Sequence, residues 1–104
     1  MKIHIDFSIF QSPVKAYGNV SGTLDLPSIP ISGDTISFMF SNTPEMMPNV
    51  GFSGMLAVEN RRYDVNQEIA FSLSLESIVL ESAEAAEKIM SYFEKGFGLF
   101  GIRY

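Results

Sequence analysis

The chain has 104 residues, 46% hydrophobic and 12% aromatic, with nine Phe and no Trp; this length points to one domain spanning 1–104, and this apolar content excludes intrinsic disorder. It contains no Cys, which excludes disulfides, thiol nucleophiles and thiolate metal sites and agrees with a reducing, cytoplasmic setting. Twelve acidic against seven basic side chains leave a net charge of −5; the longest basic run is Arg61-Arg62, so phosphate backbones are repelled and no nucleic-acid partner is expected.

His4 and Asp6 break the apolar start of the chain, and no long apolar run with a small-residue cleavage site follows, so no secretory signal is predicted. No stretch approaches the roughly 20 apolar residues of a membrane span, so no membrane partner is expected either.

In chain order, Ile3, Ile5, Phe7 and Ile9 alternate with Lys2, His4, Asp6 and Ser8, the period of a half-buried strand over about 2–10. Residues 11–18, with Ser12-Pro13 and a Gly, turn the chain or run along an edge. Val20, Gly22, Leu24 and Leu26 share one face of a strand over about 19–26, which Pro27 stops. Gly33-Asp34 turns the chain into a third strand over about 34–41, with Ile36, Phe38 and Phe40 inward.

Residues 42–51 carry two prolines with Met46, Met47 and Val50, and read as a long apolar loop. Phe52, Gly54, Leu56 and Val58 mark a strand over about 52–64, and Ile69, Phe71, Leu73 and Leu75 begin another over about 68–81, with Val65 to Glu68 as the hairpin turn. Residues paired across a hairpin share a face, so Tyr63 should meet Phe71, Val65 should meet Ile69 and Val58 should meet Leu75. Strand four then spends one residue more than strand five, which predicts a β-bulge near Asn60-Arg61, opposite Leu73. The apolar phase shifts again at Glu76-Ser77, before Ile78 and Leu80, which predicts a second.

Ser82 is a good N-cap for a helix over about 83–95, where Ala83, Ala86, Ile89, Met90 and Phe93 recur at helical spacing. Glu84 can pair with Lys88, and Gly96 suits the C′ position. The resulting fold class is α+β, mainly β: a curved antiparallel five-stranded sheet or partly open barrel with one C-terminal helix.

Little of this carries chemistry. Gly96, Gly98 and Gly101 spell G-x-G-x-x-G, but they follow a helix instead of opening one, so no nucleotide cofactor is expected. His4, Asp6 and Ser8 share a strand face without the geometry a triad demands. The carboxylates are dispersed and only one His is present, so no metal site is predicted. Asn19-Val20-Ser21 matches the N-glycosylation pattern, which without a secretion signal reads as a turn leading into a strand.

The expected function is therefore a non-catalytic protein-interaction module, an inhibitor, immunity-like or assembly accessory protein, meeting a protein partner or a second copy of itself. Its candidate contacts are Met46, Met47 and Val50 in the long loop, Phe97 and Phe100 in the apolar tail, a sheet edge, or the Ser/Thr face of the strands. The alternative is a barrel enclosing a small apolar ligand lined by Phe38, Phe40, Phe71 and Phe93. An enzyme built on scattered carboxylates ranks third.

Overall fold

The computed structural model describes residues 1–68 and 71–104. It is mainly β with one C-terminal helix, as the alternation and the helical spacing predict. The elements are β1 (Lys2–Ser12), β2 (Lys15–Asp25), β3 (Thr35–Ser37), β4 (Met55–Tyr63), β5 (Phe71–Leu75), β6 (Ile78–Val79), α1 (Ala83–Phe97) and β7 (Phe100–Arg103). The sheet order is β3-β4-β5-β1-β2-β7, with β6 continuing beside β1.

Two parts of the expectation are corrected. The sheet is mixed, because β1 pairs β5 and β6 in parallel, whereas its pairing with β2 is antiparallel. Among the described residues it has seven strands, because the run expected over 68–81 includes two strands and the apolar tail forms a further one. The first difference arises because alternation defines a strand's faces but not the direction of its neighbour. The second arises because β5 and β6 both lie along β1, and one extra residue at their junction breaks the ladder.

Both predicted bulges are present. Val58 faces Leu75 and Tyr63 faces Phe71, with the register shift between Val58 and Asn60, so the extra residue is Glu59, one position before the expected pair. The expected pairing of Val65 with Ile69 lies outside the described residues. At the second site Asp6 faces Ser74 and Ile9 faces Ile78, so β1 uses three steps where its neighbour uses four. Glu76 fills this break: its N–H donates to the Ala57 carbonyl at 3.0 Å, and its carboxylate accepts from the Ala57 N–H at 2.9 Å. The bulges bend the sheet around the helix without closing it.

Other boundaries move for local reasons. The first hairpin is tighter than expected, with Ser12 opposite Lys15 and Pro13-Val14 as its turn, so β2 begins well before 19. β3 ends at Ser37 and β4 begins at Met55, because Gly51 and Gly54 both have φ 92°, a left-handed backbone that interrupts a ladder.

The helix starts as predicted, with the Ser82 hydroxyl accepting from the Ala85 N–H at 3.1 Å. It ends later than expected. Gly98, at φ 67°, is the left-handed terminator, while Gly96 is a buried helical residue whose missing Cβ leaves room for Ser41. Ala86, Ile89, Met90, Tyr92 and Phe93 form the buried face, whereas Ala83 is exposed.

These side chains meet Ile3, Ile5, Phe7 and Ile9 of β1 in one core. At its centre Phe93 packs edge-on to Phe7 at 4.9 Å and to Phe38 at 5.1 Å between ring centroids. The Tyr92 hydroxyl donates to the Phe38 carbonyl at 2.5 Å, and burial raises its pKa. On the outer side of the helix, Arg103 of β7 reaches Glu87 and Glu94, each at 2.8 Å, and the Tyr17 hydroxyl donates to Glu87 at 2.6 Å. Antiparallel docking of the last strand on β2 thus has an ionic anchor to the helix as well as an apolar one.

Candidate functional site

The curved sheet is left open on one side. β3 is one edge, with β4 as its only strand partner among the described residues. The other margin is β2, where the pairing with β7 runs along Gly18 to Ser21 and stops before Thr23 and Asp25. Between them runs an apolar groove of about 340 Å³ lined by Leu24, Leu26, Ile36, Phe38, Phe40 and Phe97, with Asp25, Ser37 and Asn42 at its rim. It continues past Leu26 and Ile36 into a shallower stretch beside Pro27, Pro30 and Asp34.

Each wall follows from local sequence. Pro27 ends β2 just after Leu24 and Leu26 have turned toward the core face. Ile36 and Phe38 are the inward residues of β3 and its extension, for Phe38 still donates its N–H to the Gly54 carbonyl at 2.6 Å. Phe97 occupies the last turn of α1, edge-on to Phe38 at 5.2 Å and to Tyr92 at 5.5 Å.

Phe40 was expected inward and is 86% exposed. The ladder has ended by then, and the chain is turning to meet the helix end, where the Asn42 N–H donates to the Gly96 carbonyl at 2.9 Å and the Thr43 hydroxyl to the Lys95 carbonyl at 3.3 Å. These bonds satisfy carbonyls that the final helical turn leaves unpaired. They also hold Phe40 at the groove mouth.

From there residues 42–51 run back along α1 as a strap. Met46 lies beside Lys88, Ser91 and Tyr92 and is 86% exposed. Met47 is half-buried and reaches the same space as Met39 next to Gly54. Val50 is half-buried near Leu80, Ser82 and Ala85. Phe100 is 65% exposed and stands on β7 opposite Ser21, on the convex face of the sheet.

The five candidate contacts are thus not gathered into one site: Phe97 lines the groove, three residues belong to the strap, and Phe100 lies on another face. The tail as a whole covers the β2 edge. Phe40 is the residue that alternation misassigned, and the run Ser41-Asn42-Thr43-Pro44 directly after it is the signal that the strand was ending.

The convex face carries the Ser/Thr surface read from the sequence, with Ser21, Thr23, Ser72 and Ser74 in register around His4 and Asp6. Here the fold draws together residues that sequence spacing did not join. The Ser72 hydroxyl donates to Asp64 at 2.5 Å, Arg62 donates to the other carboxylate oxygen at 2.8 Å, and His4 borders the same hollow. Ser72 and then Arg62 hold the Asp64 carboxyl below its usual range, with a smaller contribution from His4. Among the described residues, no three His, Asp or Glu side chains are grouped to hold a metal ion, and no helix is long and apolar enough to cross a membrane.

Comparison with protein-family models, curated proteins and solved structures finds no match to this chain.

Proposed function

We propose that this chain is a non-catalytic protein-interaction module, of the inhibitor, immunity-like or assembly accessory kind, and that it docks its partner at the open side of the sheet. The observation that carries this reading is Phe40, a large aromatic side chain almost wholly exposed at the mouth of an apolar groove floored by Leu24, Ile36 and Phe97. Exposed aromatic anchors beside apolar pockets are the usual centres of binding energy in protein interfaces. The strap leads away from the groove mouth to Met46 beside Lys88, Ser91 and Tyr92, and supplies flexible side chains suited to an irregular surface.

The enclosed-ligand reading has less support. Of its four lining residues, Phe38 and Phe93 are packed against each other in the core, Phe40 points outward, and Phe71 packs on Tyr63 at 5.2 Å.

The test is quantitative affinity capture from the native host with the wild-type chain and with Phe40→Ser. At least one protein captured by the wild type should fall tenfold or more with the variant, while the urea unfolding midpoint stays unchanged because the side chain is already in water. Equal capture by both removes the groove as the docking site.

A further inference from the structure

β2 and β3 face one another across the seam without touching. No Cα of β2 lies within 8 Å of a Cα of β3, whereas hydrogen-bonded strands sit about 4.8 Å apart. One intervening strand needs two such spacings, about 9.6 Å.

The backbone groups on both margins are turned toward this gap. On the β3 side, the Val58 N–H donates to the Asp34 carbonyl at 2.8 Å and the Phe38 N–H to the Gly54 carbonyl at 2.6 Å. Even-numbered residues there bond to β4, so Thr35 and Ser37 direct their amides and carbonyls into the seam. On the β2 side, the Tyr104 N–H donates to the Tyr17 carbonyl at 2.9 Å and the Leu26 N–H to the Met1 carbonyl at 2.8 Å. Odd-numbered residues of β2 therefore face β7 and even-numbered ones face β1. β7 stops opposite Ser21, so Thr23 and Asp25 also face the seam, along an edge that β7 covers higher up. Among the described residues no backbone hydrogen bond joins these margins.

We propose that the seam is a strand-addition site whose occupant is an extended segment of a partner protein. It pairs with Thr35 and Ser37 on one side and with Thr23 and Asp25 on the other, completing the barrel. Its inward side chains are apolar at alternate positions, to meet Leu24, Ile36, Phe38 and Phe97. Its charge is neutral or basic, since Asp34 borders the groove, Asp25 there is already paired with the Met1 ammonium at 2.9 Å, and no Lys or Arg lines it. Main-chain pairing then supplies affinity, and the apolar floor supplies selectivity. This inference rests on the protein-binding reading above and specifies its partner.

The probe is a displayed library of ten-residue linear peptides. Selection should enrich sequences with alternating apolar residues and few acidic ones. A synthetic copy of a selected peptide should lose at least tenfold in affinity for Ser37→Pro, because proline there deletes an amide that faces the seam and leaves Ile36 and Phe38 paired with β4, whereas Ser37→Ala, which removes only the hydroxyl that accepts from the Met39 N–H at 3.4 Å, should bind as the wild type does. Methylating the backbone nitrogen of either of two successive central peptide residues should also cost tenfold or more, because an inserted strand bonds on both sides. This second arm decides the matter if Ser37→Pro does not fold.

Strand addition is overturned if no peptide is selected, if binding survives both changes, or if Ser37→Pro instead abolishes a dimer of the chain itself, which would give the seam to a second copy. If these tests fail while Phe40→Ser still loses its captured protein, the groove docks a partner in another way and the broader reading stands. If both sets fail, both readings fall.

Discussion

Phe93 shows how much of this fold depends on single aromatic side chains. It has no exposed surface, and its ring packs on those of Phe7, Phe38, Phe52, Tyr92 and Phe97, so removing it opens a cavity that these five rings cannot fill without losing their own contacts. Phe93→Ala should cost about 3–5 kcal/mol, a large share of the stability of a chain this size. Urea unfolding checks it, with a drop in midpoint at unchanged slope. Phe40, of the same residue type, should show no such effect. The contrast separates a structural phenylalanine from one available to a partner, and composition cannot make that separation.

Among the elements, α1 is held to the sheet by an apolar face and by one polar clamp. The Arg103 guanidinium, followed by the Tyr17 hydroxyl, pulls the Glu87 carboxyl down to about 2 from an ordinary 4.5, and Arg103 similarly lowers Glu94. A carboxyl whose folded pKa is depressed contributes stability that is fully present above the unfolded value and disappears as the pH falls through the folded value. Stability should therefore decline between about pH 5 and pH 2. Glu87 is nearly half exposed, so solvent screening reduces its share to on the order of 1 kcal/mol. Glu87→Gln should flatten that part of the pH profile, measured by thermal unfolding across the range, while losing stability at neutral pH.

For the whole molecule, the decisive feature is that the sheet curves round its helix and does not close. The open margins make a prediction that needs no partner. Amides of Thr23, Asp25, Thr35 and Ser37 should exchange with solvent markedly faster than those of their neighbours Leu24, Ile36 and Phe38, a residue-by-residue alternation readable by hydrogen-exchange NMR. Uniform protection along β3 would mean that the seam is closed in solution.

The sequence by itself determined the local elements. Two-residue alternation defines the buried faces of β1, β2 and β4, the mismatch of phase between Val58 and Leu75 exposes a bulge to within one residue, and Ser82 with its helical apolar spacing starts α1 where it starts, because each of these signals depends only on residues close in the chain. Tertiary structure alone decided strand direction, the number of strands and the candidate site. That β5 runs parallel to β1 depends on packing between segments distant in the chain, for which alternation carries no sign. The apolar tail became an edge strand because β2 had a margin to cover and Arg103 found Glu87 and Glu94 on the helix. The groove depends on where the ladder stops: once β3 ended at Ser37, Phe40 no longer had a sheet to turn inward from, and a residue patterned for the core became the most exposed aromatic ring at the open seam.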